Sequence, residues 1–342
     1  MNKAWVRYAI ILLLTAVFIY FFFKSVDWKD VLSNLTDVNP FLFGLASVLS
    51  LFHMVTRSIR WQYLLRYEKK HVSLWSRFSA NAVGFTVNFI FPGRLGELVR
   101  PLYLAQKEEI KKGFTVGTIV VERIFDILTN CLLLGFFLIS RPIFPSFYHA
   151  DEQAYSELGS WGIAGLVLAV SLLVLIFVLY SFQEKALSVF TFILKPAPKK
   201  ISTKVINILR EFIEGLRFFR SIGNVFVYLL LSVFVWFGII FFYWVFFMAY
   251  DVSLPYFSLI PFIFLTGAGA SIPTPGMVGG YHYFSRLGMT RFLNIGDSLA
   301  VSLTIVQHAV QLVMTCLLGY AILWKEGLSL LQVKKLGEEK VQ

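Results

Sequence analysis

The chain has two cysteines in 342 residues, and both Cys131 and Cys316 sit inside apolar runs. That excludes a disulfide framework and any Cys/His zinc spacing, and leaves the two thiols as small buried hydrophobes. Charge is equally scarce, at 15% of residues against roughly 25% in soluble domains. No segment is long and polar enough for a soluble catalytic domain. There is no G-x-S-x-G, no phosphate-binding loop and no H-E-x-x-H. The net charge of +11 comes from basic residues scattered through short connections, which argues against a nucleic-acid surface.

What is abundant is apolar: 57% of the chain, including 36 Phe and 8 Trp. These read as lipid-facing surfaces and interfacial belts of a polytopic membrane protein. The pattern predicts an all-α integral membrane fold of about six transmembrane helices plus two re-entrant helical hairpins in an inverted repeat. The spans are Tyr8–Phe23, Pro40–Thr56, Phe114–Ser140, Trp161–Phe182, Asn224–Tyr250 and Asp297–Trp324. Lys3 and Arg7 before the first run resemble a signal peptide, but no small-x-small site follows, so the first run reads as an uncleaved span. Residues 183–223 alternate basic and apolar residues, predicting an amphipathic segment on the membrane surface. All but five of the 31 Lys and Arg, namely Lys24, Lys29, Arg141, Arg286 and Arg291, fall on one side of this arrangement. The positive-inside rule then places both termini in the cytoplasm.

Two stretches organise the rest. Between Ala80 and Pro92 the apolar run is only about 12 residues, too short to cross a bilayer that needs about 20. It must turn back, and Pro92-Gly93 marks the turn. A second apolar half-span turns at Pro273, Pro275 and Gly276. Both turns read P-G-x-x-G, ending at Gly96 and Gly279. Broken helices in corresponding positions of two halves point to a transporter's binding site. The expected boundaries are a first repeat at about 40–140 with its hairpin at 76–105, and a second at about 224–324 with its hairpin at 257–288, in one transmembrane domain over 1–342.

Charges gather beside the first turn. Arg94, Glu97 and Arg100 are spaced by three, and Glu122, Arg123 and Asp126 lie within one turn and a half of helix. Facing lipid at depth, each would cost about 2.5–3.5 kcal/mol, on the order of 15–20 kcal/mol for the six. They therefore pair in the cytoplasmic headgroup zone or face a wet cavity, where arginines bind phosphate and carboxylates bind a cationic or hydroxylated group. Asn81 and Asn88 share a face and either cap freed backbone groups or touch a ligand. Arg57 and Arg60 read as snorkelling anchors that also reach lipid phosphate. Thr304, His308, Gln311 and Thr315 form a stripe for interhelical hydrogen bonds, with His308 as a proton carrier the alternative. His282 beside the second turn reads as either packing or function.

These residues resemble the flippase-like family named for the transmembrane region of lysylphosphatidylglycerol synthase. The matching stretches are R-S-I-R-W with L-L at 57–65, N-F-I-F-P-G-R-L-G-E-L-V-R at 88–100, V-V-E-R-I-F-D at 120–126 and P-T-P-G-M-V-G-G at 273–280. One departure is that Met277 and His282 stand where relatives often carry glycine and an acidic residue. The resemblance implies a lipid translocator, or a lipid-modifying accessory, in the cytoplasmic (inner) membrane of a prokaryote. The aminoacyl transferase domain of bifunctional members is not in this sequence. The leading expectation is a flippase for an anionic, aminoacylated or polyprenyl-phosphate-linked lipid. It needs no cofactor, metal or nucleic acid, and its protein partner is a second copy of the chain or a lipid synthase. The alternatives are a membrane-embedded transferase of the phosphatidylglycerol lysyltransferase type, with Glu122 or Asp126 as general base, and a scaffold docking a synthase through residues 183–223.

Overall fold

The computed structural model of the protein describes residues 38–145, 150–195 and 198–338, with isolated positions before residue 38. The expected first span, Tyr8–Phe23, therefore lies outside the described residues apart from such positions. Among the described residues the fold is all-helical, with twelve α-helices and no strand. Four are long and apolar enough to cross a membrane: α1 (Pro40–Leu65), α5 (Glu152–Ser181), α8 (Ile222–Ala249) and α11 (Asp297–Lys325). The start of α1 is set locally. Pro40 occupies its first turn, where a missing N–H costs nothing, and the Asn39 side chain accepts from the amides of Phe41 and Leu42 at 3.1 Å.

The expected span Phe114–Ser140 is a helix, α4 (Lys112–Ile139). Glu122, Arg123 and Asp126 in its middle turns set it apart from the four apolar helices. The expected surface segment divides into α6 (Gln183–Ile193) and α7 (Lys199–Glu214), followed by a 3-10 turn at Arg217–Arg220. α7 is held against α4, where the Glu211 carboxylate accepts from the Gly113 amide at 2.8 Å.

Burial is distributed as a bilayer solvent requires. Ile163, Val167, Leu168, Val174 and Phe177 of α5 are exposed, while Arg60, Asn81, Glu122 and Gln307 are fully enclosed. Water would reverse that ordering, whereas hydrocarbon favours apolar side chains outside and charges inside in mutual contact.

Two helical hairpins lie between the long helices. The first is α2 (Leu74–Ile90) and α3 (Gly96–Glu108); the second is α9 (Ile260–Ala270) and α10 (Gly280–Phe292). Their turns share a backbone signature, with consecutive left-handed residues at Gly93 (φ 78°) and Arg94 (φ 55°), and at Gly276 (φ 59°) and Met277 (φ 60°). Glycine adopts this geometry without strain, but arginine and methionine do not. Below each turn the arms close on a glycine pair. A Cβ on Gly96 would lie 1.9 Å from the Gly84 carbonyl oxygen, and one on Gly269 would lie 2.5 Å from that of Gly280. The hairpins also cross over, α2 packing on α11 and α9 on α4. Thr86 of α2 donates to the Thr315 carbonyl at 3.0 Å.

Candidate functional site

The site is built around two carboxylates of α4. Glu122 and Asp126, one turn apart, both face α1, which presents Arg57 and Arg60. Arg57 Nη1 donates to Asp126 Oδ2 at 2.8 Å and to Glu122 Oε1 at 3.2 Å. Arg60 Nη1 donates to Asp126 Oδ1 at 2.8 Å and to the Ser232 hydroxyl of α8 at 2.9 Å. Arg100 of α3 grips Glu122 in bidentate fashion, at 2.6 and 2.9 Å, and lies 4.3 Å above the Trp61 ring. Arg123 completes the network through Glu122 at 2.6 Å, Asp126 at 3.2 Å and Glu97 at 3.6 Å. Four helices, α1, α3, α4 and α8, thus meet in one ionic cluster.

Burial corrects one sequence expectation. Arg57 and Arg60 are not snorkelling anchors among headgroups; they are 6% and 0% exposed and paired to α4. Their three-residue spacing set them on one helix face, and that face turns inward because two carboxylates wait there. The notion that Arg94, Glu97 and Arg100 share a helical face also fails at Arg94. It lies in the turn with positive φ, ahead of α3, and donates through Nη2 to the Ala270 carbonyl at the end of α9, at 2.8 Å. Among the described residues Arg94 forms no ion pair within 4 Å. Five arginines here face three carboxylates, so the cluster is cationic.

Beside the cluster is a cavity of about 560 Å³. Arg57, Asn88, Arg94, Glu97, Arg123 and Asp126 line it from the charged half, while Arg60, Arg100 and Glu122 stand behind them. Asn81 does not reach it and donates to the Ser58 hydroxyl of α1 at 2.7 Å. The opposite contributions come from α8, α10 and α11, where Tyr243 and Tyr281 share a hydrogen bond at 3.0 Å and Gln311 donates to Tyr281 at 3.0 Å. His308, also lining it, donates from Nε2 to the Gly276 carbonyl at 2.9 Å; a carbonyl only accepts, so this nitrogen carries the proton. The His282 ring stands 4.6 Å from that of His308, and its Nδ1 accepts from the Gly279 amide at 3.4 Å. Two histidines therefore hold the second turn, and Arg94 joins the first turn to the second hairpin.

Several contributors escaped the sequence reading. His53, Trp236, Tyr243 and Tyr281 have no motif to mark them, and only the four-residue spacing of His53 from Arg57 would have drawn attention to one of them; Trp61, within R-S-I-R-W, was given no role. Among the described residues no group of three or more His, Cys, Asp or Glu could hold a metal ion.

Fold and site together define a multi-pass membrane protein with an ionic cavity enclosed by its helices. The chain belongs to the family of the lysylphosphatidylglycerol synthase transmembrane region, which matches residues 5–319. It is similar to the UPF0104 membrane protein MJ1595 of Methanocaldococcus jannaschii, 27% identical over 328 residues covering 91% of this chain and 92% of that one. A partial likeness links it to the glycosyltransferase AglD of Haloferax volcanii, 30% identical over 131 residues, or 37% of this chain and 20% of that protein. No solved structure matches the chain.

Proposed function

We propose that the protein is a lipid translocase that passes a phosphate-bearing headgroup through the cavity between the two hairpins while the acyl or prenyl chains stay in the bilayer. The observation that carries this reading is a cavity bordered by both hairpin turns, Arg94 from one and Met277 from the other, with an arginine surplus along its wall. An arginine at such a wall offers a forked donor set matched to phosphate. Helix length supports re-entry. At 1.5 Å per residue, arms of 11 to 17 residues reach only about 17–26 Å, short of a hydrocarbon core about 30 Å thick.

In this reading 40–140 and 224–324 form an inverted repeat, the first hairpin entering from the cytoplasm and the second from outside, with both termini cytoplasmic. The matching left-handed turns and glycine pairs support it, and such repeats suit alternating access. A membrane-embedded transferase is the weaker reading. A general base must be free to take a proton, and Glu122 and Asp126 are each engaged by three or more arginines. The test is reconstitution into liposomes carrying a fluorescently labelled anionic phospholipid. Transbilayer movement should fall at least tenfold in Arg94→Ala and in Glu97→Ala, and unchanged movement in both would remove the site.

A further inference from the structure

We infer that the cavity selects a headgroup that joins an anionic phosphate to an uncharged, hydroxyl-rich remainder, a polyol or sugar, and rejects one that carries a free ammonium. This deepens the translocase reading and rests on it in taking the cavity as the headgroup's seat.

The charge pattern excludes the ammonium. Among the described residues only two carboxylates line the cavity, and arginines stand at both: Asp126 holds Arg57, Arg60 and Arg123, and Glu97 lies 3.6 Å from Arg123. A cationic group would meet a wall on which Arg57, Arg94 and Arg123 outnumber Glu97 and Asp126, and would compete with Arg123 for either carboxylate. Like charges brought together at a site of low dielectric repel, so an ammonium is disfavoured there. A phosphate meets no such obstacle, since Arg94 and Arg123 both stand at the wall.

The uncharged part of the wall asks for hydroxyls. Asn130 of α4 lines the cavity and is only half-buried, and among the described residues its side-chain amide makes no hydrogen bond, while Gln311 adds a second amide to the same wall. Polar groups inside a fold are ordinarily paired, so an open amide on a cavity wall points to a ligand. An amide both donates and accepts, and a hydroxyl is the group that serves either. The cavity, at about 560 Å³, is within the range of small-molecule sites, about 300–1,000 Å³, and suits one sugar or polyol unit.

The experiment measures lipid binding to the purified full-length protein in nanodiscs by native mass spectrometry. Three probes are compared: phosphatidylinositol (anionic with a polyol), phosphatidic acid (phosphate alone) and lysylphosphatidylglycerol (bearing ammonium groups). Phosphatidylinositol is expected to bind at least tenfold tighter than lysylphosphatidylglycerol and several-fold tighter than phosphatidic acid. In the Asn130→Leu protein the preference for phosphatidylinositol over phosphatidic acid should disappear, with continued phosphatidic acid binding reporting an intact fold. Equal or tighter binding of lysylphosphatidylglycerol would overturn the inference, as would a preference that survives the substitution. The two readings separate cleanly. Lipids bound in the expected order but never crossing liposome bilayers would remove translocation and keep headgroup selection. Lysylphosphatidylglycerol crossing faster than phosphatidylinositol would do the reverse.

Discussion

The two hairpins are alike in backbone and opposite in chemistry. Each turns on Pro-Gly with two consecutive left-handed residues, and each closes on a glycine pair too tight for a methyl group. The first then carries Arg94, Glu97 and Arg100 into an ionic cluster. The second carries Met277, Tyr281 and His282 into a neutral network with Tyr243, His308 and Gln311. Shape therefore comes from the shared prolines and glycines, and charge is an addition to one hairpin. The proposed translocation uses both, with cations on one wall and uncharged donors on the other.

Substitutions break this comparison in order of size. Glu122→Ala should cost about 3–5 kcal/mol, since Arg57, Arg60, Arg100 and Arg123 would lose their shared acceptor in the interior. Unfolding in mixed detergent micelles reads the loss, whereas Tyr281→Phe in the neutral network should cost only about 0.5–1.5 kcal/mol. Comparable values would mean the charged cluster is no more central than its counterpart.

The glycine pairs come next. Gly96→Ala and Gly280→Ala each overpack a hairpin, at a typical cost of about 1–3 kcal/mol. The first should be worse, because its Cβ would lie 1.9 Å from a carbonyl oxygen and the second's 2.8 Å. Equal melting points for the two would deny that the first hairpin is the tighter one.

Smaller still is His308→Phe, which removes one hydrogen bond to the Gly276 carbonyl and should lower stability by about 0.5–1.5 kcal/mol. The smallest effect separates the turns themselves. Met277→Gly relieves a left-handed backbone and should leave the melting point equal or slightly higher. Arg94→Gly relieves the same strain but loses the link to Ala270, and should lower it. A matched rise in both would show that the Arg94 link contributes nothing.

The turns were legible in the sequence because proline and glycine act locally, through φ and a missing donor, without knowledge of the rest of the chain. The hairpin arms followed from run length alone. Arg123, Glu122 and Asp126 were legible as a buried group because hydrocarbon rejects lone charges. Arg57 and Arg60 were not read correctly, since three-residue spacing tells which side chains share a face but not whether that face meets lipid or protein. Tyr243 and Tyr281 stayed hidden, and Trp61 was seen without a role, for a related reason: an aromatic on a membrane helix has the same local pattern whether it faces acyl chains or a guanidinium. The partners that decide its role are far away in sequence, as Trp61 and Arg100 are.

The contact between Gly84 and Gly96 has a mechanical consequence. With no slack between its arms, the first hairpin can swing only as one stiff lever. Arg100, one turn beyond Gly96, travels with it, so any stroke of that lever must loosen the two-pronged grip on Glu122 or hand it to another arginine.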